Sequence, residues 1–386
     1  SAKIADGIIT TNHLNKAIIS SQTEVTAVAG DFLLIGDTSD SNNLKKIPIS
    51  GITSLVSSGP THKTFGTASI MIGDTTTGTI NAANYNTGLG VDVFAALTSG
   101  DGNTAVGYQA LDANTTGAEN VAIGSKALSA NNTASSNTAV GTESLQANTT
   151  GTDNTALGAG ALKTNTTSSN NTGLGKYALL FGTGTENTAV GSGSLRTLST
   201  GNYNTAVGYE SLRLATSPNE NTAVGYYALG SATTGHSNTA MGSAALDSMT
   251  TSSNNVAIGK DALGALVTGS SNVAVGAYAG AASTAVGITA VGRNALGAAN
   301  TANYNTAVGS YALASNTSGS TNVAVGRNAL NANTTGSINT AVGMRALDVN
   351  TTASNNTAVG GDCMGANTTG TNNTCVGMDG LKLNTT

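Results

Sequence analysis

Paired carboxylates can hydrolyse sugars, a nucleophile beside a histidine can transfer acyl groups, and clustered Cys and His can hold zinc. This 386-residue sequence contains all of those residue types and none of the spacings. His13, His62 and His236 are scattered, and none pairs with a nucleophile in a recognisable motif. No Walker loop, HExxH or GxSxG is present, and chance glycine-rich matches carry no weight where glycine is this abundant. Acidic residues are sparse and read as a solvated face rather than as the paired carboxylates of a glycan depolymerase. The side chains that remain able to recognise a ligand are the tyrosines, each an apolar ring with a hydroxyl, suited to sugars and protein partners. Tyr108, Tyr177, Tyr209, Tyr226, Tyr227, Tyr278 and Tyr311 recur at equivalent places and are the candidate receptor contacts; Tyr85, Tyr203 and Tyr304 recur at another. No catalytic residue, cofactor or metal site is expected, and the chain reads as a non-enzyme.

What makes places equivalent is a repeat. An Asn-Thr-Ala-Val-Gly motif ends on Gly90, Gly107, Gly124, Gly141, Gly158, Gly175, Gly191 and so on to Gly377, spaced by 17 residues. Only the intervals Gly175 to Gly191 and Gly276 to Gly292 are 16, and Gly73 is in phase in a degenerate context. A period this short means a solenoid, in which each unit buries its apolar face on its neighbours. Counting from the glycine, the seven tyrosines stand at +1 or +2 and the other three at −5. Position −4 is Asn in every unit but one, −3 is Thr or Val, −2 is small, and −1 is a branched apolar residue such as Val106, Ile123 or Leu157. That alternation predicts a short strand. Small residues follow at +3 and Leu at +4, as in Leu111, Leu128 and Leu145; many units then carry Asn-Thr-Thr-Gly, the residues of a turn. The cysteines occupy +3 and −2, where other units have Ala or Ser. They read as small buried residues, with a disulfide as the alternative, and are too few for zinc.

Charge follows the same phase. Of eleven Lys or Arg beyond residue 60, ten lie at +1, +2 or +5, and no charge stands at −4 to 0, +3 or +4 from Gly107 onward. Charged side chains are rarely buried unpaired, so +1, +2 and +5 are expected outside and −1 and +4 inside. Seventeen residues cannot hold two packed helices, and Gly, Asn and Thr are poor helix formers. The fold class expected is all-β: a parallel β-solenoid, or β-roll, of about 18 coils with a 17-residue repeat over residues 63–386, preceded by a small β-rich adaptor over 1–62. Stacked Asn at −4 should form an amide ladder. An Ala-rich coil has a thin core, so the chain is expected to associate side by side, most simply as a homotrimer. The unit from Gly276 to Gly292 has Gly280 at +4 and Ile288 at −4, writes Thr-Ala-Val-Gly twice and is one residue short. A local irregularity or flex point is expected there.

In the first sixty residues, Asp31–Asp37 and Leu44–Ile49 read as strands around a turn, the second at an edge because of Pro48. A short extended segment is expected at Lys3–Thr10 and a short helix within 50–62. A net charge of −5 without a basic block disfavours nucleic acid, and no 18-residue apolar stretch suggests membrane insertion.

Units such as Asn120-Val121-Ala122-Ile123-Gly124 and Asn272-Val273-Ala274-Val275-Gly276 resemble the head repeats of trimeric autotransporter adhesins, which form trimeric left-handed parallel β-rolls, although those repeats are somewhat shorter. The 17-residue form is similar to shafts of bacteriophage tail fibres. Residues Ile4–Thr10, Asp31–Asp37 and Asn43–Ile47 resemble the virion-proximal segments of such fibres. The resemblance implies a fibre shaft on a virion, docked to a tail or baseplate protein through the N-terminal segment and supporting attachment to a host glycan or protein. A bacterial surface adhesin is the alternative. An ice-binding solenoid fits poorly, because −3 switches from Thr to Val and positions +7 to +9 degenerate at Leu198, Ala215 and Met249.

Overall fold

The computed structural model describes residues 32–36, 44–48, 62–65, 68–73 and 82–385. The chain divides into two units, 1–61 and 62–386. Within the first, β1 (Phe32–Gly36) pairs antiparallel with β2 (Leu44–Pro48), with Phe32 opposite Pro48 and Gly36 opposite Leu44. Both strands fall where the sequence places them. The segments expected at 3–10 and within 50–61 lie outside the described residues.

The second unit is a β-solenoid. It opens with an antiparallel pair, β3 (His62–Phe65) and β4 (Ser69–Gly73). From β4 the strands stack in parallel and in chain order, through β5 (Thr87–Gly90) and β6 (Thr104–Val106) to β22 (Thr374–Val376). The register matches like with like, as where Thr205, Ala206 and Val207 face Thr222, Ala223 and Val224. About 18 turns at ~4.8 Å each make this unit a rod of roughly 85 Å. No helix occurs among the described residues.

Each coil is one three-residue strand, −3 to −1, followed by corners. The anchor glycine takes φ near +130°, a conformation that L residues rarely adopt. Residues +2 and +4 are left-handed as well; the +4 leucines Leu111, Leu128 and Leu145 have φ of 52°, 51° and 49°. A bulky residue there costs about 1–2 kcal/mol. Full burial of the Leu side chain offsets this by about 1.5–3 kcal/mol, and the Leu111 amide donates to Ala127 O of the next coil at 3.1 Å.

The inward columns are −2, +3 and +4. Ala105, Ala122 and Ala139 at −2 are fully buried with Ala110, Ala127 and the leucines. The expectation that −1 points inward is therefore corrected. Ile123, Leu157 and Leu174 are 39%, 45% and 40% exposed. The alternation is right but its phase is inverted. The reason is coil width: a Cβ added to Gly173, at −2, would lie 3.3 Å from Ala178 O and 3.4 Å from Leu162 Cγ, so in most coils the wall facing −2 leaves room for little more than Ala. The first coil shows the same constraint. There +4 is the larger Phe94, and −2 is Gly88, whose absent Cβ would stand 3.2 Å from the ring.

The −4 amides form the expected ladder. Asn204 Oδ1 accepts from the backbone N (3.1 Å) and Nδ2 (3.2 Å) of Asn221, while Asn204 Nδ2 donates to Asn187 Oδ1 (3.0 Å) and across the coil to Pro218 O (2.8 Å). A second ladder runs at +7. Asn114, Asn131, Asn148 and Asn165 are linked Nδ2 to Oδ1 at 3.0–3.1 Å, and each donates to the carbonyl three residues on. Buried Leu198, Ala215, Ala232, Met249 and Leu266 replace it in the middle coils, and it resumes from Asn300 to Asn367. The Asn-Thr-Thr segments thus turn the chain and also join successive coils.

The short coil from Gly276 to Gly292 keeps the sheet register on both sides. Only the second Thr-Ala-Val-Gly is a strand, Thr289–Val291; the first forms the turn, and Gly287 takes the left-handed place usual at −5. Ile288 is buried, and its Cδ1 would stand 3.4 Å from a Cβ on Gly280. The Ile thus occupies the space that the missing +4 Leu leaves, which removes the physical ground for a flex point.

Cys363 and Cys375 form a disulfide with Cα atoms 6.3 Å apart. The reading as unlinked small residues is corrected. Columns +3 and −2 face each other across the narrow coil, which brings two sulfurs within bonding reach. The third position there is Gly380, where a Cβ would lie 2.6 Å from Cys375 Sγ. Replacing both cysteines by Ala is expected to destabilise the last coils by about 2–4 kcal/mol, read as faster hydrogen exchange after residue 360 with coils before 340 unchanged.

Candidate functional site

The left-handed residue at +2 directs its side chain out of the corner, and +1 precedes it on the same edge. The seven candidate tyrosines share this edge of the rod. Tyr108, Tyr177, Tyr209, Tyr226 and Tyr278 are exposed, and Tyr227 and Tyr311 half-buried. Four stand apart, and three of these lie beside a cation. Lys176 Nζ lies 4.9 Å from the Tyr177 ring centre, Lys260 Nζ 5.5 Å from that of Tyr278, and Arg293 Cζ 5.5 Å from that of Tyr311. The hydrogen bond between Lys260 and Tyr278 raises the pKa of that lysine.

Only Tyr209, Tyr226 and Tyr227 come together. Tyr209 and Tyr226, both at +1 in successive coils, stack with ring centres 5.7 Å apart and planes 12° apart. Tyr227 meets Tyr226 edge-on at 4.4 Å and Tyr209 at 5.9 Å. Arg213 lies 5.2 Å from the Tyr227 ring centre and is paired with Glu210 at 3.2 Å. The coils flanking the stack have Ser192 and Ser243 at +1, both exposed, so the outer ring faces are open. Such a platform can stack a sugar or an aromatic side chain and offer hydroxyls at its rim.

The Tyr227 hydroxyl donates to Glu210, and this bond, followed by burial, pushes its pKa up to about 12. Because the folded value lies above the ordinary ~10, the associated stability is complete below pH ~10 and is lost as pH rises through about 12. In a phenolate absorbance titration Tyr227, identified by comparison with Tyr227→Phe, should ionise last, and Glu210→Gln should return it toward ~10. Ionisation of Tyr227 at the ordinary pH in the unaltered chain would show that the Glu210 bond does not hold in solution.

A second surface escaped the sequence reading because the phase of the strand was inverted. The −3 and −1 side chains form a flat, uncharged outer strip along the whole ladder. Leu89, Ile123, Leu157, Leu174, Met241 and Ile258 are between 37% and 50% exposed on it.

Among the described residues no group of three or more His, Cys, Asp or Glu could hold a metal ion, and no helix is long and apolar enough to cross a membrane. Fold and surface define the class: a parallel β-solenoid repeat protein with an aromatic corner and an uncharged sheet face. Comparisons with protein-family models, curated proteins and solved structures find no match.

Proposed function

We propose that this chain is the shaft of a virion fibre, built from three parallel copies, that projects from a phage particle and supports attachment to a host. The observation that carries the reading is the uncharged outer strip at −3 and −1, where Thr or Val alternates with an apolar residue in every coil from Gly90 onward. Monomeric proteins rarely leave a line of partly exposed apolar side chains running along a whole sheet, as the −1 residues do here. Its spacing repeats with every coil, so a parallel copy matches it along the full length, and the absence of charge at −4 to 0 removes any repulsion between identical faces. The corner bearing the tyrosines lies outside this strip and remains open in such an assembly. The resemblance of the repeats to tail-fibre shafts, and of Ile4–Thr10 and Asp31–Asp37 to virion-proximal segments, supports the placement on a particle. In that arrangement the N-terminal unit docks to a tail or baseplate protein.

Two measurements test the reading. Light scattering on the purified protein should return three times the 37.7 kDa chain mass. Val325→Asp, Val342→Asp and Val359→Asp together, on three adjacent coils where these residues are about a third exposed, should give a folded monomer. The purified trimer should also compete with intact particles for adsorption to host cells. A wild-type monomer would refute the assembly, and adsorption unaffected by excess protein would refute the attachment role.

A further inference from the structure

The coils around the first 16-residue unit contain a cleft of about 420 Å³ that the tyrosine pattern does not account for. Glu143, Lys163, Thr164, Tyr177, Phe181 and Arg196 line it, with Leu180 as its floor. A glycine lets one of its walls form. Position +2 carries Glu143 in one coil and Tyr177 two coils later, but between them it is Gly160, with φ +66°. The Tyr177 ring leans over that gap: a Cβ on Gly160 would lie 2.7 Å from Tyr177 Cδ1. The adjoining +5 column reads Lys163, Leu180, Arg196, two cations about 10 Å apart at the coil spacing with a buried Leu between them.

The walls are chemically uneven. Tyr177 and Phe181 are 39% and 48% exposed and offer ring faces. Lys163 is held by Glu143 at 2.7 Å, whereas exposed Arg196 has no carboxylate within ion-pair distance among the described residues. Lys176 stands beside Tyr177 at the rim. The local charge is therefore positive in a chain whose net charge is −5.

We infer that this cleft binds an acidic saccharide, a chain of sugars bearing carboxylates. A sugar carboxylate fits the free guanidinium of Arg196, which can accept it bidentately. Pyranose faces fit the exposed rings of Tyr177 and Phe181, and the Glu143 carboxylate and Thr164 hydroxyl can accept from sugar hydroxyls. The cleft spans four coils, from Glu143 to Arg196, or roughly 14 Å at the coil spacing, which suits a short oligosaccharide rather than one sugar. It opens on the +2, +5 and +6 columns, away from the uncharged strip, so side-by-side assembly leaves it accessible. The inference deepens the attachment reading by naming the ligand class, and it is tested without particles or cells.

The probe is trigalacturonate, titrated into the full-length protein by calorimetry at two salt concentrations, with maltotriose and triglutamate as controls. Trigalacturonate should bind more weakly at higher salt, and the neutral trisaccharide roughly tenfold more weakly or not at all. Arg196→Gln should lose roughly tenfold in affinity; its exposed side chain makes an unchanged melting curve the check on folding. Gly160→Asn should weaken binding by pushing the Tyr177 ring off its place in the wall, since Asn tolerates the left-handed conformation but its Cβ meets that ring. No binding of trigalacturonate to the wild-type protein, equal binding by Arg196→Gln, or tighter binding of triglutamate would each overturn the assignment, the last by making the cleft a site for acidic peptides. Failure here would leave the adsorption result untouched, and failed adsorption would leave trigalacturonate binding intact.

Discussion

Gly225→Ala should destabilise the rod by about 3 kcal/mol or more, the largest loss expected from adding one methyl group to this chain. Two costs combine. The backbone there has φ +135°, and holding an L residue in so sparsely populated a region costs about 1–3 kcal/mol. The new Cβ would also stand 2.5 Å from Gly242 O and 2.7 Å from Gly242 C of the next coil, and overpacking of this kind costs a further ~1–3 kcal/mol. Backbone cannot rotate away as a side chain can. The informative comparison is Gly235→Ala in the same coil. Its Cβ would meet Ser252 O at 2.2 Å, an even closer approach, but its φ is not positive. Equivalent places elsewhere hold Ala134, Pro218 and Ala353, so the chain itself shows that this contact gives way. Gly235→Ala should therefore cost less than about 1 kcal/mol. Because coils couple mainly to their neighbours, the damage from Gly225→Ala should appear as a separate early step in urea unfolding and as protease cleavage near residue 225. Equal effects of the two substitutions would show that φ at the anchor glycine does not govern stacking.

Asn204→Ala is the second large effect, about 2–4 kcal/mol, since it strands several buried polar groups at once and each costs about 1–3 kcal/mol before relaxation. Asn221 would lose the acceptor of its backbone N–H and of its Nδ2, and Asn187 Oδ1 and Pro218 O would lose donors. The contrast is Asn165→Leu at the end of the first +7 run. Asn165 Oδ1 is already buried without a partner, and several other coils place buried Leu, Ala or Met in that column. Its cost should be at least ~1 kcal/mol smaller. Thermal unfolding of the two variants side by side measures the difference; equal losses would mean that the ladders are interchangeable and that the −4 column has no special role.

Much of this was legible in the sequence because a repeat compares many units at once. The period, the coil, the inward leucines at +4, the outward charges and the −4 ladder all follow from columns of like residues. What was not legible depends on distances between columns. Branched residues at −1 looked buried, and only the narrowness of the coil, seen at Gly173 and at the Gly88–Phe94 pair, puts the small −2 residue inside instead. The disulfide and the +7 ladder needed the same cross-coil geometry. The Tyr209–Tyr226 stack could have been read from their 17-residue separation. The cleft at Gly160 could not, because one of its walls is a ring leaning in from the next coil over a glycine.

The +7 column has one more consequence, for how the chain finds its fold. Near-identical coils invite slippage, in which one coil loops out and every later strand pairs one step early with a partner that looks correct. The −3 to −1 motif barely distinguishes such a product. The +7 column does, because it is written in blocks: Leu97 is followed by amides from Asn114 to Asn165, then Gly182, apolar residues from Leu198 to Leu266, Ser283, and a second amide run from Asn316 to Asn367 that Asn300, one residue further along its coil, begins. A coil skipped inside a block is nearly silent. One skipped near a boundary sets an amide beside the wrong kind of neighbour and leaves a polar atom unpaired, as already happens at Asn165 and Asn300 in the native coil order. The block edges thus serve as positional marks along an otherwise uniform template, since coil orders that misplace them leave more buried amide atoms unpaired.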